Sequence, residues 1–265
     1  MKDFTITHIG DTALSLPMPF IFIKAKGETF NFQTHDGTEY GSKNKGTPIT
    51  FATDFWLCAY QTTQELWRAV VKEAKPKDLE EFPSHFKGKH RPVEQVSWTD
   101  IQVFNEAFNK LLAGGKMKFE HDEIPNGIFG LPSETQWEYA ANANQALIFA
   151  GSQNLNDVAW YNYNCYEQTM PVGLKRPNAL GLYDMSGNVY QWCADDYSND
   201  LAEIPKDGTP YLKSGVNKSL RGGCYFNSAQ FCRLRDRSNE RPKGRNDSSG
   251  FRLRFSPSSS DHVGY

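Results

Sequence analysis

The sequence predicts an α+β fold with irregular loops, in a single domain spanning residues 1–265, and three observations carry that reading. Strand-length apolar and aromatic runs occupy residues 15–60, three capped helices follow from residue 62 on, and beyond about residue 150 short aromatic runs alternate with Asn, Gly and Pro turns. No linker, repeat or low-complexity tract divides the chain. At 38% hydrophobic and 14% aromatic residues, a chain of 265 residues can bury a sizeable core and is globular, not disordered.

In chain order, the strand signals are the runs Pro19–Ile23, Thr29–Phe32 and Phe55–Tyr60, with a turn at Asp36–Gly37 between the last two. Three pairs then announce helix starts: Thr62 with Glu65, Ser97 with Asp100 and Ser133 with Gln136. Each places a hydroxyl three residues before an acid or amide, so that the two side chains satisfy the free amide groups of the first turn. The first helix carries Leu66, Ala69, Val70 and Ala74 on one face and stops at Pro76; the second carries Ile101, Phe104, Phe108, Leu111 and Leu112 and stops at Gly114–Gly115. The third carries Trp137, Ala140 and Ala141, and the tail 256–265 is polar and expected to be loose.

The stretch Arg221–Phe255 stands apart. It opens on RGG and closes on GFRLRF, both strand-like, while the residues between follow neither a period of 2 nor one of 3.6 and mix Asn, Ser, Asp, Arg and Gly with Tyr225, Phe226 and Phe231. Nine basic residues against three acidic ones give it a net charge of plus six; the whole chain is at minus two, so the remainder carries minus eight. Two readings are open: a face for an anionic or planar partner, or a loop-rich end whose arginines pair with the acidic body.

Several function classes recede on composition. No apolar run approaches the roughly 20 residues of a membrane helix, and the N-terminus has an acid at position 3 and no continuous apolar block, unlike a signal peptide. The five cysteines, Cys58, Cys165, Cys193, Cys224 and Cys232, are odd in number and lack CxxC spacing, which argues for free thiols; only Cys224 and Cys232 are near enough in sequence to suggest a pair. The histidines His8, His35, His85, His90, His121 and His262 include no i, i+4 pair, and no GxSxG motif is present, so neither a histidine metal site nor a serine nucleophile is supported.

The blocks PVEQVSW (92–98), GLPSETQWEYAA (130–141), PNALGLYDMSGNVYQW (177–192), RGG (221–223) and GFR (250–252) together resemble the formylglycine-generating-enzyme family in kind and in order, over roughly residues 50–255. That resemblance implies a divergent C-type lectin fold, in which Trp98, Trp137 and Trp192 anchor the body and Gly181, Gly187, Gly222 and Gly223 permit turns. Calcium-binding relatives would place ion ligands on the Asp184 and Gln191 side chains and the Gly187 and Val189 carbonyls; Gln191 stands where the family has a glutamate, which removes a charge from a hard-cation site, so no cofactor is expected. The family's oxidases hold Cu(I) between two thiolates after RGG. Here Cys232 fills the second place and Asn227 the first, and an amide cannot replace a thiolate.

The segment 224–249 resembles more closely the variable region of proteins diversified by retroelements through adenine-directed mutagenesis. The framework of such regions is matched by Arg221, Gly222, Gly223, Ala229, Cys232, Arg233, Arg237, Pro242, Arg245 and Gly250–Leu253. Between those points sit Tyr225, Phe226, Asn227, Ser228, Phe231, Arg235, Asp236, Ser238, Asn239, Arg241, Asn246, Asp247, Ser248 and Ser249, all encodable by changing the adenines of an AAC codon. Aromatic residues there would supply stiff contact area, Ser and Asn adaptable hydrogen bonds, and Arg235 and Arg241 bidentate recognition of carboxylate or phosphate. Arg237 and Arg252 are expected to be structural.

The expectation is a non-enzymatic, monomeric ligand-binding protein whose variable region, about residues 221–255, meets an unknown protein or other macromolecular ligand. It would sit at a bacterial cell surface if an export signal or anchor has been trimmed, and in the cytoplasm otherwise. The alternative is a formylglycine-generating-type, copper-dependent oxidase acting on a protein cysteine. Nucleic acid has the net acidic charge against it.

Overall fold

The computed structural model describes residues 1–33, 46–120, 124–213, 215 and 217–258. The predicted turn at Asp36–Gly37, the residues His35, His121 and His262, and most of the tail lie outside the described residues.

The first sheet is built around a long hairpin. Strands β1 (Phe4–Ile9) and β2 (Thr12–Ile23) pair antiparallel about Gly10, whose φ of 55° suits a two-residue turn. Strand β5 (Phe55–Cys58) extends the sheet from β2, and the C-terminal strand β12 (Arg254–Pro257) inserts between β5 and β7 (Gly127–Gly130). With β6 (Met117–Phe119) on the far edge of β1, the order is β6-β1-β2-β5-β12-β7. Both ends of the chain therefore share one sheet, and Phe4, Phe20, Trp56, Phe129 and Phe255 pack as one aromatic cluster. Strand β1 is an addition to the sequence reading; its alternation buries Phe4, Ile6 and Ile9.

Helices α1 (Gln64–Ala74) and α2 (Trp98–Ala113) pack together beside this sheet, with Trp67 stacked on Phe104 at 4.9 Å. The Ser97/Asp100 and Ser133/Gln136 caps form as predicted, the latter starting α3 (Glu134–Asn142). The cap of α1 is Thr63 instead of Thr62. The backbone of Thr62 is held by tertiary bonds, its N–H donating to Phe251 O and its carbonyl accepting from Val93 N, and its hydroxyl is buried without a partner among the described residues; the hydroxyl that accepts from the Leu66 N–H is that of Thr63.

Strands β3 (Thr29–Phe32) and β4 (Thr47–Thr50) form a separate hairpin. After the single turn α4 (Leu155–Val158), the chain enters a four-stranded sheet of order β10-β9-β8-β11, comprising β8 (Tyr190–Asp196), β9 (Lys218–Arg221), β10 (Arg237–Glu240) and the short β11 (Ser249–Gly250). Strand β11 runs parallel to β8. This sheet holds both ends of the 221–250 stretch. Trp192 in β8 and Trp137 in α3 are fully buried, and Trp98 is half-buried with its indole N–H donated to Cys193 O.

Candidate functional site: the surface of residues 224–249

The frame comes first, because it fixes where the rest points. Gly222 and Gly223 have φ of 94° and 72°, a region open mainly to glycine. A Cβ on Gly223 would lie 2.6 Å from Phe231 O and 2.8 Å from Cys232 Sγ, so the start of the segment lies directly against its own return.

Arg221 locks that start from below. Its side chain is fully buried and bonds Glu134 (3.1 Å), Glu138 (2.7 Å), Leu234 O (2.8 Å) and Asp236 O (3.1 Å). Arg237 grips Glu134 with two bonds of 2.6 and 2.7 Å and donates to Ser198 O. Burial alone would push the Glu134 carboxyl up, but Arg237 and then Arg221 pull it down to about 2. Arg252 is equally buried and donates to Cys58 O, Ala59 O, Tyr183 O and Gln191 Oε1, and Arg245 forks onto Asp100 at 2.8 Å twice. Much of the segment's positive charge is thus spent internally, Arg237 and Arg252 among it.

The predicted ligand residues spread from exposed to buried. Phe226 and Phe231 are 52% and 41% exposed, and Ser228 and Arg241 are exposed as well. Arg235, Asp236, Ser238, Asn239, Asn246, Asp247 and Asn227 are half-buried. Among these, Asn227 Oδ1 accepts from the Cys224 N–H and thiol, Asn239 Oδ1 accepts from Asn217, and the Ser238 and Tyr190 hydroxyls share a hydrogen bond. Burial raises Asp236 to about 6 against the pull of Arg221 and Arg233. Neither Arg235 nor Arg241 makes a side-chain hydrogen bond or ion pair among the described residues.

Tyr225 and Ser248 lie inside, each 6% exposed. The Tyr225 ring meets Phe86 edge-on at 5.2 Å and its hydroxyl donates to Asp247. Next to that pair sits Glu94, fully buried, whose carboxylate accepts from the backbone N–H of His85 and Phe86. Burial, with Asp247 adding to it, raises Glu94 to about 7. Sequence reasoning did not single out Glu94, although it lies within PVEQVSW.

Sequence reasoning also passed over the loop 160–167. Asn162 N–H donates to Asn227 O (3.1 Å) and the Cys165 thiol to Tyr225 O (3.0 Å), which fasten this loop to the segment, and Tyr163 and Tyr166 stand out at 81% and 86% exposure. Its run YNYNCY, alternating Tyr and Asn outside any strand, was the available signal.

Residues 22–255 match the sulfatase-modifying factor enzyme 1-like domain. The chain belongs to the sulfatase-modifying factor family. A chaperone protein LppX from Paenibacillus barcinonensis is 32% identical over 67% of this chain and 72% of its own length. The formylglycine-generating enzyme of Streptomyces coelicolor is 26% identical over 92% of this chain and 76% of its own. Among solved structures, Treponema denticola variable protein 1 superposes with a TM-score of 0.77 at 27% identity, covering 96% of this chain and 99% of that one. The fold is the C-type lectin type that the sequence predicts.

Two ion sites suggested by the sulfatase-modifying factor family can be tested on the donors present. For copper, Asn227 holds the first thiolate position and its amide oxygen is engaged by Cys224. All five cysteines are free and buried, and burial pushes the Cys224 thiol up to about 12 and that of Cys232 further. At the family's own two positions, Asn227 and Cys232, an amide stands where one thiolate belongs, so the residues at those positions do not fit Cu(I). For calcium, the Asp184, Gly187 and Val189 carbonyls converge on Gln61 Nε2 at 3.1, 3.2 and 3.0 Å. Gln191 Oε1 accepts from Trp137 and Arg252, Gln191 Nε2 donates to Asp184 O, and Asp184 Oδ2 accepts from Gly173. Three backbone carbonyls thus bind an amide, and among the described residues Asp184 Oδ1 is the one atom of the proposed ligand side chains without a partner, with Gln61 Oε1 unpartnered too, so the residues present do not fit a cation that needs six to eight free oxygens.

Proposed function

We propose that this chain is a non-enzymatic ligand-binding protein whose 225–249 segment is an exchangeable recognition surface, diversified by a retroelement acting on adenines. One observation carries the reading. Of the positions that match the fixed framework, Arg221, Gly222, Gly223, Cys232, Arg237 and Arg252 are buried or bonded into the body, as are Tyr225 and Ser248 between them. The positions between them include the outward-facing Phe226, Ser228, Phe231 and Arg241. A surface that must accept many side chains needs its backbone held by other groups, and here two buried carboxylates, two glycines and three arginines hold it. Likeness to a protein named a variable protein supports the reading. The partner is a protein or other macromolecule, met at a cell surface.

The test is tolerance. A variant carrying Phe226→Ser, Phe231→Ser, Arg235→Ser and Arg241→Ser should melt within about 4 °C of the parent, since surface substitutions cost about 0.5 kcal/mol or less each. Loss of cooperative unfolding would overturn the reading.

The rival, a copper-dependent oxidase, draws on the neighbouring buried thiols of Cys224 and Cys232. Titration with Cu(I) under reducing conditions separates the two. The binding reading expects no stoichiometric tight site; a one-to-one complex lost in Cys232→Ser would favour the oxidase.

A further inference from the structure

We propose that the loop 161–166 is a fixed half of the recognition surface, and that the surface fits a folded protein presenting an apolar centre bordered by carboxylates. This rests on the binding reading above and adds to it residues that no retroelement exchange would touch.

The loop is built to hold its rings outward. Tyr161 N–H donates to Asn164 Oδ1 and Asn164 Nδ2 to Ala159 O, while Tyr161 packs against the cluster containing Cys232 and stacks on Tyr163 at 6.2 Å. Cys165 is fully buried under the variable turn, and the backbone at Tyr166 and Glu167 takes φ of 54° and 55°, a conformation that costs non-glycine residues about 1 kcal/mol or more each. The result is an ordered loop with Tyr163 and Tyr166 almost wholly in water, fastened beside a turn that presents Phe226 and Phe231. Two segments joined by the Asn162 and Cys165 bonds thus expose four large rings, the residue type that marks a macromolecular interface.

The shape and charge choose the partner class. These rings are exposed, and they line neither the cavity of about 390 Å³ between Trp67, Lys72, Phe82 and Lys89 nor that of about 520 Å³ between Ala74, Val103 and Leu111. Exposed aromatics suit a partner that brings its own pockets, which a folded protein does. Arg235, Arg241 and Lys243 are the cations of the segment with no side-chain partner among the described residues, enough for a few carboxylates. A polyphosphate would need a longer basic track, and Arg221, Arg237, Arg245 and Arg252 are already engaged.

Two display libraries of the full chain test this. Both randomise positions 226, 228, 231 and 239 and keep Arg235, Arg241 and Lys243; the second also carries Tyr163→Ser and Tyr166→Ser. Each is selected against an acidic folded protein, a basic folded protein and a single-stranded 20-mer DNA, after melting curves confirm that the double serine variant folds. The proposal expects the first library to give binders to the acidic protein, with a median Kd at least tenfold tighter than the second library gives. Equal affinities from the two libraries would overturn the role of the loop. Tighter binders to DNA or to the basic protein than to the acidic one would overturn the partner class. If neither library yields binders to any target, the recognition surface itself fails, and the proposed function with it.

Discussion

Replacing Glu134 by Gln probes the frame most sharply. The carboxylate is fully buried and accepts from Arg221, twice from Arg237 and from Ser219 (2.9 Å). Gln has the same shape but one acceptor oxygen and two donors, so at least one guanidinium bond becomes a donor facing a donor. Two buried guanidinium groups are then left sharing Glu138. Breaking a buried ion pair from one side costs about 3–5 kcal/mol. For 265 residues at about 2.1 cal/mol/K each, the entropy of unfolding is about 0.56 kcal/mol/K, so melting should fall by roughly 5–9 °C at pH 7. Calorimetry on parent and variant measures this directly. The folded carboxyl titrates near 2, below its ordinary value of 4.5, so its stabilising effect is complete above about pH 5 and fades as pH drops towards 2. The gap between the two proteins should narrow over that window. A fall under about 2 °C at pH 7, or a gap that stays constant down to pH 2.5, would refute the reasoning.

Other expectations follow from the same contacts. Glu94, raised to about 7, favours the folded state while protonated, so its contribution is lost as pH rises from about 4.5 through 7; Glu94→Gln should flatten the melting profile between pH 5 and 8 relative to the parent. Gly223→Ala places a methyl 2.6 Å from Phe231 O at a φ of 72° and should cost at least about 2 kcal/mol by denaturant unfolding, with no such loss for Ala at the exposed Ser228. Millimolar calcium or EDTA should leave the melting temperature unchanged, because Gln61 already engages the Asp184, Gly187 and Val189 carbonyls; stabilisation that grows with calcium would contradict that account.

Local chemistry was legible in the sequence where cause and effect sit within four residues. The caps at Ser97 and Ser133 needed only their own first turns, and the stop after α2 needed only Gly114 and Gly115. Thr62 failed as a cap because bonds to Phe251 and Val93 outweigh it, and such bonds leave no local trace. Strand β1 did carry its period of two in Phe4 and Ile6, a signal present but not used. The surface segment was located by composition and by its framework residues. Its internal division was not, since Arg221 finds its carboxylates 83 and 87 residues away and Gln61 meets its carbonyls 123 to 128 residues away. Tyr225 reads in sequence like Phe226; only the position of Phe86 and Asp247 buries one and leaves the other in water.

The central claim, an exchangeable surface on a fixed frame, is tested most directly by sequencing the encoding locus. The account predicts a nearby reverse transcriptase and a second copy of the DNA for residues 221–255 that differs at adenines, with differences falling between the framework codons and sparing those for Arg221, Gly222, Gly223, Cys232, Arg237 and Arg252. A locus without that second copy, or with differences spread evenly over framework and surface codons, would contradict it.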